Sequence, residues 1–178
     1  MIYYIADTHF GHHAIIKFQN RPFEDVNTMN ACMIENWNTR VKNNDTVYII
    51  GDMFFKCEDP ETILKQLKGK KILIQGNHDE SWLKDENLHK YFEKITGYEE
   101  IYNLNKLIVM CHYPLLTWKK ENKSYMVYGH IHASTNMDFW PLIKSRDRML
   151  NADVEINNYT PVTLTELIIN NENFKRMN

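Results

Sequence analysis

The sequence predicts an α/β fold, and three observations indicate it. Short apolar runs with the length of buried strands recur along the chain, and each is followed at once by His, Asp or Asn. Helical patterns separate several of these runs, and residues 46–75 form one complete strand–helix–strand unit. The chain has 178 residues, of which 43% are hydrophobic. This length allows a substantial core, and we expect residues 1–178 to form a single domain.

Five candidate strands share one arrangement at their carboxyl ends. The runs, with the polar residues that follow them, are 2–6 with Asp7 and His9, 46–50 with Asp52, 71–75 with Asn77, His78 and Asp79, 107–111 with His112, and 125–128 with His130 and His132. In open α/β sheets the ligand crevice lies outside the carboxyl ends of the strands. We therefore expect the five polar motifs to converge at one site.

The remaining elements follow from start signals and periodicity. Helices are expected after the candidate N-cap Asp25, after the triplet at residues 59–61, after the polar motif at residues 76–79, and after the Thr163 and Glu166 capping box. The first should end at residues 43–45, the second at Gly69, and the third should span 80–93. Residues 100–104 and 106–111 are predicted to form a hairpin, and residues 148–153 a closing strand.

Composition argues against two classes of function. The net charge is −2 and the pI is about 6.4, which gives no signal for binding a long polyanion such as DNA or RNA. No run approaches the roughly 20 apolar residues of a membrane span, and the first residues lack the features of a signal peptide. Three scattered cysteines are typical of a reducing compartment. We therefore expect a cytoplasmic protein.

Two residues outside the strand ends are candidates for substrate binding. Arg21 could grip phosphate oxygens with its planar guanidinium, although a surface ion pair is the alternative for this residue. Trp118 lies beside Lys119 and Lys120 in the connection at 113–124, which leads from one candidate ligand to the strand that carries two more. An aromatic side chain with nearby cations could stack a base and attract phosphate. A solvated loop is the alternative for this segment.

The strand-end side chains form a metal-binding set of mixed nitrogen and oxygen donors. The candidate ligands are Asp7, His9, Asp52, Asn77, His112, His130 and His132. Imidazole with carboxylate suits Mn, Fe, Zn or Ni better than calcium. Seven ligands exceed the needs of one ion, whereas two ions about 3.5–4 Å apart and bridged by one carboxylate would use them all. Such a pair suits displacement at phosphorus.

In order along the chain, Asp-x-His, Gly-Asp, Gly-Asn-His-Asp, a later His and Gly-His-x-His resemble the calcineurin-like metallophosphoesterase superfamily. The resemblance implies two packed mixed β-sheets flanked by helices, in an αββα arrangement. It also implies a dinuclear, metal-dependent phosphoesterase that hydrolyses a small phosphate mono- or diester, nucleotides included, through a metal-bridging hydroxide. His78 would then be the general acid and Asp79 its orienting partner.

The resemblance also implies how the ligands divide. Asp7, His9, Asp52 and His132 would hold one metal, and Asp52, Asn77, His112 and His130 the other, with Asp52 as the bridge. The sequence departs from many members after Gly-Asp, where residues 53–56 are Met-Phe-Phe-Lys instead of including a further acid. This departure concerns the wall of the substrate site and leaves the proposed ligands intact.

Two alternative functions remain at this point. Some members of the fold resemble protein-binding scaffolds whose metal site has degraded, and missing ligands would mark such a case. Every ligand position is filled in this sequence, and His78 is present. The second alternative is a nuclease, which the acidic balance and the absence of a basic tract disfavour for long polymers.

Overall fold

A computed structural model describes residues 1–178. The strands are β1 (Ile2–Ile5), β2 (Thr46–Ile49), β3 (Lys70–Ile74), β4 (Lys94–Thr96), β5 (Glu99–Asn103), β6 (Lys106–Met110), β7 (Tyr125–Tyr128) and β8 (Met149–Asn151). The α-helices are α1 (His13–Phe18), α2 (Val26–Arg40), α3 (Pro60–Gln66), α4 (Asp79–Trp82), α5 (Trp140–Lys144) and α6 (Leu164–Met177), and Glu86–Tyr91 forms a 3₁₀-helix.

The strands form two four-stranded sheets, in the orders β1-β2-β3-β4 and β5-β6-β7-β8. Every ladder of the first sheet is parallel. The second sheet is mixed, because the predicted hairpin pairs β5 and β6 antiparallel while β6-β7 and β7-β8 are parallel. The α/β class with two packed sheets is therefore confirmed, and the unit β2-α3-β3 has the expected parallel strands.

Alternation of side chains along the strands divides the core into layers. On one face of β1, Tyr3 and Ile5 pack with side chains of α2 and α3, such as Trp37 and Leu64. On its other face, Tyr4 joins a cluster between the sheets that includes residues of β6, β7 and β8. The outer face of the second sheet packs against α5 and the end of α6. The result is the expected order of helix, sheet, sheet and helix.

The register brings the carboxyl ends of the strands to one edge. In the first sheet, Ile5 pairs with Ile49. In the second sheet, β7 pairs with β6 and β8 in parallel. An isolated parallel bridge between Ala6 and Asp153 joins the two sheets, and the Ala6 N–H donates to the Ala152 carbonyl at 2.8 Å. The residues that follow these strands therefore emerge side by side.

The predicted helix starts are confirmed. The Asp25 side chain accepts a hydrogen bond from the Thr28 N–H, and the Asp59 side chain accepts one from the Thr62 N–H. At α6, Thr163 and Glu166 make both hydrogen bonds of the capping box. Each of these contacts satisfies backbone donors that the first turn of a helix leaves unpaired.

Some predicted boundaries are wrong. The single helix expected at 80–93 is replaced by α4 and the 3₁₀-helix, because the Asp85 side chain accepts the Asn87 N–H and starts a new turn. Helices α2 and α3 end at Arg40 and Gln66, before the predicted stop signals. Gly69 lies in the turn beyond α3 with a φ of +84°. The short elements α1, β4 and α5 were not expected, since each is too short to show periodicity.

Cys32, Cys57 and Cys111 are free thiols, and burial raises the pKa of Cys57 and of Cys111. Cys111 packs against the outer cluster of the second sheet, as alternation predicts. No helix combines the length and the apolar character needed to cross a membrane.

Candidate metal centre

The strand-end side chains converge where the two sheets meet. Ligand atoms within each of two groups lie within 4.8 Å of one another. The first group is Asp7, His9 and His132, and the second is Asp52, His112 and His130. Asn77 adjoins the second group, because its Oδ1 lies 3.1 Å from His112 Nε2 and 3.0 Å from His130 Nδ1. The fold thus brings together all seven candidate ligands.

Asp52 lies between the two groups. Its Oδ2 is 3.4 Å from His112 Nε2 in the second group and 3.8 Å from His9 Nε2 in the first. Its Oδ1 accepts the His78 backbone N–H at 2.8 Å. Burial alone would raise the pKa of Asp52, but the hydrogen bond from His112 and the other donors lower it to about 2. Asp52 is therefore a buried carboxylate that faces both groups.

Five of the seven candidate ligands have left-handed backbone conformations. Their φ values are 55° for Asp7, 49° for His9, 51° for Asp52, 70° for His130 and 51° for His132. A non-glycine residue in this region costs roughly 1–2 kcal/mol. These left-handed positions lie directly after the strands, where the side chains converge in the same space. Strain of this kind is concentrated at functional sites.

Three glycines of the motifs make room for ligands on neighbouring strands. A Cβ on Gly76 would lie 2.4 Å from Asp52 Oδ1, and one on Gly129 would lie 2.3 Å from Asp7 Oδ2. Gly51 has a φ of +81°, and its Cβ would lie 2.3 Å from His112 Nδ1. In each case the glycine of one motif contacts the ligand of another motif. The glycines therefore matter because they allow two strand ends to approach closely.

In the first group, the ring nitrogens of His9 lack hydrogen-bond partners. His9 is buried, and neither of its ring nitrogens has a hydrogen-bond partner. Burial and the neighbouring His132 lower the pKa of His9 to about 2, so the ring is neutral and keeps a free lone pair. Burial also raises the pKa of Asp7 to about 7, although both of its oxygens accept the His130 N–H. Buried groups left in this state need a cation or another partner.

In the second group, a backbone carbonyl orients the imidazole of His112. His112 Nδ1 lies 2.9 Å from the Ile50 carbonyl, which can only accept, so Nδ1 carries the proton. Nε2 is then directed at Asn77 and Asp52. Burial lowers the pKa of His112, but the contact with Asp52 outweighs it and the pKa is raised to about 9. A cation at this position would replace that proton, as metals do at histidine sites.

The structure adds two carboxylates that the sequence analysis did not identify as site residues. His132 Nδ1 lies 3.1 Å from Asp153 Oδ2 and 3.1 Å from Glu155 Oε2. Burial opposes protonation of His132, but these two hydrogen bonds raise its pKa to about 11. Burial and the adjacent Glu155 raise the pKa of Asp153. Carboxylates behind a metal-binding histidine fix its tautomer and leave Nε2 free for the ion.

A signal for these carboxylates was present in the sequence. Residues 149–152 form an apolar run with one asparagine, and Asp153-x-Glu155 follows at once. This is the same strand-end pattern as the five motifs that were recognised. The closing strand predicted at residues 148–153 includes Asp153, whereas β8 ends at Asn151.

Arg21 does not fit either role predicted for it. Its side chain is fully buried, and Nη2 and Nη1 donate to the carbonyls of Asp7 and Thr8, each at 2.8 Å. Nε donates to Glu155 at 2.7 Å. A guanidinium with these partners cannot grip a phosphate and is not a surface ion pair. Arg21 instead braces the strained turn after β1 and holds Glu155 behind His132.

Asp79 also has a different role from the one predicted. Its Oδ2 accepts the N–H groups of Asp52 and Gly76, and its Oδ1 accepts those of Met53 and the Trp82 indole, all at 2.8–2.9 Å. No hydrogen bond joins it to the His78 ring. The buried carboxylate of Asp79 therefore links the turns after β2 and β3 by hydrogen bonds. The expectation that it orients His78 is wrong.

His78 lies at the open side of the first group. Its side chain is 37% exposed, and Nε2 is 3.9 Å from Asp52 Oδ2. The ring packs edge-on against Phe55 at 4.4 Å between centroids and lies 5.5 Å from His9. Phe55 stands in the segment where the sequence departs from many family members. The departure thus places an aromatic wall beside His78.

Trp118 is partly buried against the outer cluster of the second sheet. Its indole N–H donates to Ser124 Oγ at 3.0 Å, the Arg146 guanidinium lies 5.9 Å from its ring centroid, and Lys119 pairs with Glu100. Trp118 lines two surface cavities that contain none of the seven candidate ligands. These contacts are those of a packing residue, and base stacking by Trp118 stays a prediction.

Comparison with known proteins gives consistent matches along nearly the whole chain. The family model described as calcineurin-like phosphoesterase matches residues 1–164. Uncharacterized protein MJ1445 of Methanocaldococcus jannaschii is 37% identical over 171 residues, which cover 94% of this chain and 89% of that protein. The gene 66 protein of Mycobacterium phage L5 is 21% identical, over 83% of this chain and 91% of its own length. The crystal structure of AQ665, a protein of unknown function from Aquifex aeolicus, has a TM-score of 0.73 and 31% identity, covering 93% of this chain and 96% of that chain.

The close approach of Gly76 to Asp52 can be tested by adding one methyl group. Gly76→Ala should lower the free energy of unfolding by about 1–3 kcal/mol, because the new Cβ forces Asp52 and the turn after β2 to move. Gly97→Ala is the matched control, since a Cβ on Gly97 meets nothing within 4 Å. Its effect should stay within about 0.5 kcal/mol. Urea denaturation of the three proteins measures both values, and equal stability of the two variants would contradict the packing described.

Proposed function

This chain belongs to the calcineurin-like phosphoesterase family, and we propose that it hydrolyses phosphate esters with a pair of divalent transition metal ions. The observation that carries the proposal is the position of Asp52 between two groups of nitrogen and oxygen donors, within 4 Å of a histidine from each. A carboxylate in that position can bridge two ions.

The residues present fit such ions. Imidazole nitrogens and carboxylate oxygens suit Mn, Fe, Zn or Ni. Buried His9 presents a lone pair on an unpartnered nitrogen, and the contact with the Ile50 carbonyl leaves Nε2 as the nitrogen of His112 that a cation would bind in place of a proton. In our assignment Asp7, His9 and His132 would hold one ion, and Asn77, His112 and His130 would hold the other. Asp52 would be the ligand that the two ions share.

The chemistry divides between the ions and the chain. When bound, two such ions lower the pKa of a water molecule and neutralise charge on the phosphoryl oxygens. The chain holds its ligands in strained turns braced by Arg21 and clasped by Asp79, so that the donors do not have to rearrange during the reaction. Asp153 and Glu155 keep the proton of His132 on Nδ1.

We assign the role of general acid to His78. The departing ester oxygen needs a proton, and a positioned imidazole supplies one near neutral pH. His78 follows Asn77 directly, its ring is partly open to solvent, and Phe55 packs edge-on against the ring and limits its rotation. The ring makes no hydrogen bond that would occupy either nitrogen.

The proposed substrate is a small phosphate ester and not a long nucleic acid. The chain carries no excess of positive charge, and Arg21, the arginine behind the site, is buried and paired with Glu155. Long nucleic acids bind through many exposed Lys and Arg contacts. The three free cysteines support our proposal of a cytoplasmic location.

The shared position of Asp52 predicts how metal content responds to substitution. Asp52→Asn should lower the occupancy of both ions, because both lose a ligand, whereas His9→Ala should lower mainly one. Asp138→Asn, which changes an exposed aspartate, is the matched control. Elemental analysis after saturation with Mn²⁺ and desalting measures the ratio. Wild type should hold two ions per chain, and equal content in wild type and Asp52→Asn would contradict the bridge.

The role of His78 predicts a dependence on the leaving group. His78→Ala should retain both ions and lose about 10²–10⁴-fold in kcat on alkyl or nucleoside esters, whose leaving oxygens need a proton. The loss on 4-nitrophenyl esters should be smaller, since nitrophenolate departs without one. His13→Ala, an exposed histidine on α1, serves as the control. Loss of an ion, or an equal loss on both substrate types, would show that His78 is a ligand or a phosphate-binding group.

A further inference from the structure

An apolar groove opens directly beside the candidate metal centre. It has a volume of about 340 Å³, and His130 lines it together with Tyr113, Leu116, Ile131, Phe139 and Leu142. The volume is within the range of small-molecule sites. His130 belongs to both the groove and the second group of ligands. A molecule bound at the metal centre could therefore extend directly into the groove.

The groove exposes apolar side chains that a folded protein normally covers. Tyr113, Leu116, Phe139 and Leu142 lie 42–62% exposed within this one region. Scattered apolar residues on a surface are ordinary, but a concentrated patch marks a binding site. The patch borders the metal centre. Its position therefore favours part of the substrate as the group that it binds.

The walls of the groove favour an apolar group over a nucleobase. Eight of the eleven lining residues are hydrophobic, so few groups could pair with the polar edge of a base. The Arg146 guanidinium donates to the Leu116 carbonyl at 2.5 Å and lies over the Trp118 ring. A base placed here would leave its donors and acceptors unpaired, which is costly. An alkyl or aryl group has no such groups to satisfy.

The groove and His78 lie on different sides of the centre. Tyr113 packs against the rings of His112 and His130, at 5.2 and 4.6 Å between centroids, and these belong to the second group. His78 packs against His9 of the first group and against Phe55. The leaving oxygen lies near His78 in the proposed reaction. A group in the groove is therefore the one that remains on phosphorus.

We propose that the groove binds the apolar alkyl or aryl ester group that phosphorus retains, so that the substrate class is a phosphodiester with one apolar ester. The inference rests on the proposed function. Water contributes oxygen to the new P–O bond, the P–O bond to the other ester group breaks, and the leaving oxygen receives a proton. The products are an alcohol and an apolar phosphate monoester.

A chain-length series tests this directly on the Mn²⁺-loaded full chain. The substrates are 4-nitrophenyl methyl phosphate and 4-nitrophenyl hexyl phosphate, which share a leaving group and differ only in the retained ester. Each methylene that is fully buried is worth about fourfold in affinity. Wild type should therefore favour the hexyl ester at least tenfold in kcat/KM. Equal kcat/KM for both esters would overturn the groove proposal and leave the phosphoesterase activity standing.

Substitutions in the groove wall test whether the preference for the hexyl ester arises in the groove. Leu142→Glu puts a charge on the groove wall and should reduce the hexyl-to-methyl ratio to near one, and Leu116→Ser should lower it in the same direction. Ile169→Glu makes the same kind of change at an exposed apolar position on α6 and should keep the wild-type ratio. Thermal unfolding of each protein shows that it is folded. A ratio that survives in folded Leu142→Glu and Leu116→Ser would overturn the assignment.

A binding measurement separates the groove from catalysis. Isothermal titration with hexylphosphonate and methylphosphonate should show at least tenfold tighter binding of the hexyl compound, and Leu142→Glu should remove the difference. Failure of the proposed function would appear as no hydrolysis of either ester, and this titration would still decide the groove. Equal binding of both phosphonates overturns the proposal. If Leu142→Glu then changes the sedimentation coefficient, the groove is a contact between copies of the chain.

Discussion

The carboxylate of Asp52 is the point on which the site depends, because it is the one side chain that faces both groups of ligands. Its position is set by backbone contacts rather than by other ligands. The buried carboxylate of Asp79 accepts the N–H of Asp52 and that of Gly76, which ties the turn after β2 to the turn after β3. Gly76 has no side chain, and this allows the two turns to meet. Placement of Asp52 thus follows from the packing of two parallel strands.

The backbone of the site is strained, and some of its buried polar groups lack hydrogen-bond partners. Left-handed turns at Asp7, His9, Asp52, His130 and His132 aim the side chains inward, and His9 is buried with no partner for either nitrogen. The fold can hold such groups because the packed clusters on both faces of the first sheet, and the hydrogen bonds of Arg21, keep the turns in place. Bound cations would relieve the unpaired state. The strained turns and the unpartnered His9 stabilise the fold least, and they are the groups that the proposed chemistry uses.

Much of the fold and of the candidate site could be predicted from the sequence because the strand-end pattern is local. Each apolar run followed by His, Asp or Asn is visible in the chain, and parallel pairing brings those ends together. The roles of Arg21 and Asp79 could not be predicted, because each depends on partners that are distant in sequence: Glu155 and the carbonyls of Asp7 and Thr8 for Arg21, and the N–H groups of Asp52 and Met53 for Asp79. Asp153 and Glu155 were missed although they follow a strand-like run, because Asn151 interrupts that run and the predicted closing strand extended over Asp153. The break between α4 and the 3₁₀-helix was not predicted, because it depends on the Asp85 side chain, which accepts the Asn87 N–H and starts a new turn.

The position of Asp52 between two cations is tested most directly by a crystal structure of the Mn²⁺-loaded protein with anomalous diffraction data. We expect two anomalous peaks per chain, about 3.5–4 Å apart, with the Asp52 carboxylate between them. One peak lies beside His9 and His132, and the other beside His112 and His130. A single peak at saturating Mn²⁺, or two peaks of which only one contacts Asp52, would contradict it.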